Sequence, residues 1–212
     1  MIISTIKQVQ KFLLKEMEVF ENPLFRLSYQ MTQPGCSEKE IQQICSVLTN
    51  LPQSYLDLIK KYNFYGIGLL NFVLSPSGVR NSNMAESLVL FYKENLFLEL
   101  VPFTKGLYNI GFDDTDGLFV ASRQNEVFQE GEIILIEERA TEDPSLEWTH
   151  LLAANFHDFI LIAANAMDCQ NCLNEEESNG DELREEFYRR LDTLKINPKY
   201  QKNWDYVLSI WP

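Results

Sequence analysis

Between Leu51 and Pro76 the hydrophobic pattern changes period. Tyr55, Leu58, Ile59 and Tyr62 fall at i, i+3, i+4 and i+7, which predicts one apolar helical face, with Asp57, Lys60 and Lys61 opposite. Pro52 suits the first helical position, where its missing N–H is not needed, and Thr49 and Asn50 are side chains of the capping type. Asn63-Phe64-Tyr65-Gly66 breaks the period, and Gly66 is the residue expected at positive φ. The apolar run Ile67 to Leu74 then reads as a buried strand closed by Ser75-Pro76-Ser77-Gly78.

Upstream, Ile6, Val9, Phe12 (or Leu13) and Phe20 line one side of a helix expected over Ile2–Phe20, which Asn22-Pro23 should end. Leu24 to Met31 reads as extended and Thr32-Gln33-Pro34-Gly35 as a turn. Ser37-Glu38-Lys39-Glu40 has the form of a capping box, and Ile41, Ile44, Cys45 and Leu48 supply the face of the helix it opens. Downstream, β-formers on both sides of Lys93-Glu94-Asn95 favour two strands over Met84–Leu100, although Leu88, Val89, Phe91 and Tyr92 also fit a helix face. Phe97–Phe103 reads as a strand. Leu107–Phe112 and Gly117–Ser122 read as a hairpin with an Asp-Gly turn, and Glu132–Glu138 as a further strand. Ser145 is expected to cap a long helix whose broad stripe runs through Trp148, Leu151, Leu152, Asn155, Phe156, Phe159, Ile160 and Ala163 out to about Met167. An acidic linker, Asn174–Gly180, precedes a charged helix from Asp181 to about Leu194. Pro198 then breaks the chain, and Trp204–Trp211 forms an apolar patch expected to dock on the body.

Composition narrows the class. The 212 residues carry a formal charge of −13 and are 45% hydrophobic, enough for a sizeable core in one generous domain. An acidic chain repels phosphates, so direct nucleic-acid binding is disfavoured and a basic partner is favoured. Four cysteines are too few for a disulfide scaffold at this length. The first twenty residues interrupt their apolar positions with Lys and Glu and lack the form of a signal peptide. The apolar window Leu151–Met167 is too short and too polar to span a bilayer. A cytoplasmic location, with no membrane contact, is expected.

The chemical motifs are thin. Cys169-x-x-Cys172 lacks the second pair of a zinc site and the strand-to-helix setting of a redox motif, so ordinary cysteines at a helix end are expected. His150 and His157 are read as sharing a face of one helix, without a nucleophile elbow or metalloprotease spacing. Asp113-Asp114-Thr115-Asp116-Gly117 starts like a calcium loop, but Gln124 stands where the closing Glu is required. Neither catalytic residues, nor a metal site, nor a cofactor is expected. The strongest feature is acidic: from Asp113 to Glu147 eleven carboxylates face only Arg123 and Arg139. That pattern is either a solvated edge or a docking surface.

The order Leu51-Pro52, Tyr55, Tyr62-Asn63, Gly66 with its apolar strand, then Leu100-Val101-Pro102-Phe103, the Asp/Gly hairpin and Phe156-His157-Asp158-Phe159-Ile160 resembles the SUKH superfamily. These are the Smi/Knr-type regulators and many bacterial toxin-immunity proteins. The single Gly66 departs from the glycine-rich turn often found there. The resemblance covers roughly Ser37 to Ala166. It implies an α+β fold: a mixed, mostly antiparallel sheet with helices packed against it. Residues 1–36 would be an N-terminal extension, 37–167 the SUKH-like domain, and 168–212 an acidic linker with a helical C-terminal extension. It further implies a non-enzymatic immunity protein that binds and neutralises a polymorphic-toxin domain, such as a nuclease with a basic phosphate-binding face. The alternative is a regulatory or scaffolding module for a cellular partner. The contacts expected to meet a basic toxin are Asp113, Asp114, Asp116, Glu130, Glu132, Glu137, Glu138, Glu142 and Asp143.

Overall fold

The computed structural model describes residues 2–19, 31, 34–76, 83–94, 106–114, 116–123, 125–138, 146–173 and 180–208. Residues 24–30 of the expected segment Leu24–Met31, all of Phe97–Phe103, residues 174–179 of the expected linker Asn174–Gly180, and Glu142, Asp143 and Ser145 lie outside the described residues.

Helix α1 spans Ile6–Val19 and α2 spans Glu38–Val47. The capping box forms as the sequence predicts: Ser37 Oγ accepts from the Glu40 N–H, and the Glu40 carboxylate accepts from the Ser37 N–H at 2.7 Å. Helix α3 spans Gln53–Lys61 with Pro52 itself as the N-cap and without a side-chain cap, so Thr49 and Asn50 do not serve that role. Gly66 follows at φ 67°.

The run Ile67–Leu74 is not one strand but a tight hairpin. Strands β1 (Ile67–Leu69) and β2 (Phe72–Leu74) pair antiparallel with Leu69 opposite Phe72. The turn between them holds Leu70 at φ 56°, a conformation that leucine seldom adopts and that gives no sequence signal. Met84–Glu94 is a helix, α4, where two strands were expected. Asn83 caps it, its Oδ1 accepting from the Glu86 N–H at 2.9 Å. Met84, Leu88 and Phe91, at i, i+4 and i+7, are buried, and that spacing outweighs the β-propensity of the segment.

Strands β3 (Leu107–Asp113), β4 (Asp116–Ala121), β5 (Ile133–Ile136) and β6 (Thr149–Ala153) complete a six-stranded sheet in the order β1-β2-β3-β4-β5-β6. Every pairing among the described residues is antiparallel, so the fold is α+β with an antiparallel meander. Strand β6 is a third difference: Thr149–Ala153 pairs with β5 instead of opening the long helix. That helix, α5 (Phe156–Leu173), starts where Asn155 Oδ1 accepts from the Asp158 N–H at 2.9 Å. Helices α6 (Gly180–Thr193), α7 (Pro198–Gln201) and α8 (Trp204–Val207) follow.

Helix α5 is apolar nearly all round because it is buried nearly all round. It packs against α1, α3, α6 and the sheet. Phe156 and Phe159 stack edge-on with Tyr55, Phe64 and Phe72, while Trp204 closes the far side against Phe72 and Phe187. Ile3, Val9 and Leu13 from the N-terminal extension and Phe187, Trp204 and Leu208 from the C-terminal one belong to this same core cluster. Both extensions are therefore built into the body. The Asn165 side chain, fully buried on α5, grips the backbone of Ile3, accepting from its N–H at 3.1 Å and donating to its carbonyl at 2.8 Å.

Candidate functional site

The β3–β4 hairpin positions the acidic residues. Asp113 pairs with Asp116 in register, so the chain turns after Asp113, with Asp114 at φ 48°. The Asp116-Gly117 step expected as the turn lies inside β4, Gly117 opposite Phe112. Asp114 is exposed, whereas Asp113 and Asp116 are half-buried. Burial, then the neighbouring Asp116 and Asp114, push the Asp113 carboxyl up to about 6.

Asp116 is tied inward. Its Oδ1 accepts from the Glu138 N–H at 3.0 Å and its Oδ2 from the Tyr206 hydroxyl at 2.8 Å. Glu138 is exposed just past the end of β5. Asp113, Asp114, Asp116 and Glu138 thus gather at one end of the sheet. None of the three aspartates forms an ion pair with a described lysine or arginine.

The other expected contacts do not join them. Glu137 is only 6% exposed, and its Oε1 lies 2.8 Å from His150 Nε2. The His150 ring stacks on Tyr206 with centroids 3.9 Å apart. Glu132 is 3% exposed at the opposite end of β5; it accepts from Lys199 Nζ at 2.7 Å, Tyr200 Oη at 2.8 Å and the Gln129 N–H at 2.8 Å. Both were expected to face a partner, and both are instead buried polar groups satisfied inside the fold. The physical reason is tertiary: alternation along β5 turns Glu137 to the side where His150 stands, and the C-terminal extension brings Lys199 and Tyr200 over Glu132. Glu130 is exposed, paired with Arg123 Nε at 3.0 Å, at the end of β5 away from the hairpin turn.

The histidines do not share a helix. His150 is on β6 and His157 on the first turn of α5, exposed, with Nδ1 3.3 Å from Asp158 Oδ1. Cys36 and Cys169 are buried, and burial pushes their thiols up to about 11 and about 12, away from the reactive thiolate. Cys172 is exposed on the last turn of α5. Among the described residues no group of three His, Cys, Asp or Glu side chains is arranged to hold a metal ion, and no helix is long and apolar enough to cross a membrane.

Sequence reasoning missed Lys199, Tyr200 and Tyr206. Each reaches from the C-terminal segment to a carboxylate of the sheet, and the apolar patch around Trp204 was the signal that this segment returns to the body. No protein-family model matches this chain, and no curated protein matches it in sequence.

Proposed function

We propose that this chain is a non-enzymatic binding protein of the immunity type, which holds a basic toxin domain against its acidic hairpin end. The observation that carries the reading is the gathering of Asp113, Asp114 and Asp116 with Glu138 at one end of the sheet, without a described base paired to the three aspartates. Burial, and after it the neighbouring Asp116 and Asp114, raise the Asp113 carboxyl; a lysine- or arginine-rich surface relieves the like-charge part of that cost on contact. The order of motifs that resembles the SUKH superfamily supports the same reading, with a cytoplasmic setting and without a cofactor. Glu132 and Glu137 drop out of the docking set because they are buried.

The test is capture from the source cells, with this protein as bait at low salt and elution by salt. The reading expects a basic protein that arrests growth when expressed alone and is neutralised by co-expression of this chain. A captured partner that is harmless alone supports the regulatory alternative instead.

A further inference from the structure

The last strand of a sheet offers its outward backbone groups to any strand that comes beside it. Among the described residues the edges of this sheet are β1 and β6. Strand β1 is three residues long, a poor template for another strand. Strand β6 has five, Thr149-His150-Leu151-Leu152-Ala153, and carries neither lysine, carboxylate nor proline, the residues that blunt an edge. Its register against β5 decides which groups look outward. The Glu137 N–H donates to the Trp148 carbonyl at 3.0 Å, and bonded pairs alternate from there. Thr149, opposite Ile136, and Leu151, opposite Ile134, fall at the non-bonded positions, so their own N–H and C=O turn away from β5.

Residues 196–208 lie along that edge. The chain leaves α6 through Lys195, at φ 57°, with the Ile196 N–H donating back to the Leu191 carbonyl at 3.0 Å. Helices α7 and α8 then pack on β6. Asn203 Nδ2 donates to the outward carbonyl of Leu151 at 2.8 Å. Trp204 Nε1 donates to the carbonyl of Leu152, the residue left over at the register shift, at 2.9 Å. Asn203 Nδ2 also reaches the Lys199 carbonyl at 3.3 Å, which fixes the direction of the side chain. Further along, the Tyr206 ring stacks on His150 and its hydroxyl donates to Asp116. Side-chain N–H groups thus stand where the amides of a seventh strand would be.

We propose that this C-terminal segment is a strap that keeps β6 from pairing with the β6 of a second copy of the chain. The edge it covers fits that occupant. Two identical antiparallel strands close on each other about a two-fold axis, and the joined sheet then ends on the short β1 at both sides. The strap prevents this by engaging the Leu151 carbonyl that such a pair needs. The inference is independent of the binding reading above, and salt separates the two. Chains of formal charge −13 repel one another, so self-pairing strengthens as salt rises, whereas capture of a basic protein weakens.

Deleting the strap would also take Trp204 from the core, where it meets Phe72 and Phe187, so the test loosens the strap in the full chain. Asn203→Ala with Tyr206→Ala removes two grips and leaves Trp204 in place. Trp204→Phe is a second variant: it keeps a ring in the core and loses the bond to Leu152. Sedimentation over a series of protein concentrations is expected to show the double variant associating about tenfold more tightly than the unaltered chain, as a dimer and no larger. Trp204→Phe should shift association in the same direction. Raising the salt should strengthen it, and amide hydrogen exchange at Thr149 and Leu151 should slow in the dimer. If both variants associate no more than the unaltered chain, the proposal is overturned. Association that leaves the Thr149 and Leu151 amides unprotected, or that weakens as salt rises, overturns it as well.

Discussion

Glu132 and Tyr200 meet inside the protein, 68 residues apart in the chain, with the Tyr200 hydroxyl donating to the Glu132 carboxylate at 2.8 Å. Lys199 joins from the same helix. The contact fastens the C-terminal segment to the start of β5, so its loss should be felt in stability. Glu132→Ala is expected to cost about 3 kcal/mol and Tyr200→Phe about 1 kcal/mol, read by urea denaturation. A Glu132→Ala chain within about 0.5 kcal/mol of the unaltered protein would return Glu132 to the exposed surface.

The Asp113 carboxyl, raised from 3.8 to about 6, ties stability to pH. Its protonated form is favoured in the folded chain, so its contribution is fully present below about pH 4 and is lost as pH rises through about 6. Asp113→Asn should therefore stabilise the protein at pH 7, on the order of 1 kcal/mol after solvent screening, and leave it little changed at pH 4. Denaturation midpoints of the two chains measured from pH 4 to 7 check this. Curves that stay parallel across that range contradict the burial of Asp113 beside Asp116 and Asp114.

The Asn165 amide holds both backbone groups of Ile3 in a fully buried position. Asn165→Leu keeps the volume and strands a buried N–H and C=O, with an expected cost of about 3 kcal/mol. Removing residues 1–36 strips Ile3, Ile6, Val9 and Leu13 from the core and should abolish cooperative unfolding. A truncated chain with a sharp thermal transition near that of the full protein would show the N-terminal segment to be dispensable.

The legible parts of this fold were local ones. The Ser37–Glu40 box and the face Tyr55–Ile59 each declare themselves within a turn or two of helix. So did Leu183, Phe187 and Leu191, which form the buried face of α6. Three elements were misread because a competing local pattern looked stronger. The β1–β2 turn uses Leu70 where Gly or Asn would have announced it. The polar triplet Lys93-Glu94-Asn95 resembled a hairpin turn and hid the face Met84, Leu88, Phe91. Strand β6 was absorbed into the apolar run of α5, because strand and helix segments that are both buried look alike in period.

The candidate site was legible in composition but not in geometry. An acidic stretch can be counted from sequence. Which carboxylates turn inward depends on Lys199, Tyr200 and His150, residues far along the chain whose positions only the folded sheet fixes.

The central claim is that the carboxylates at the hairpin end hold a basic partner. The most direct measurement compares two baits in one lysate at low salt: the unaltered chain, and one with Asp113, Asp114 and Glu138 changed to lysine. Asp116 is left alone because Glu138 and Tyr206 hold it within the fold. The account predicts a basic protein captured by the first bait, released as salt rises, and lost from the second while the variant's melting temperature stays at or above that of the unaltered chain. Equal capture by both baits, with the same salt dependence, would contradict it.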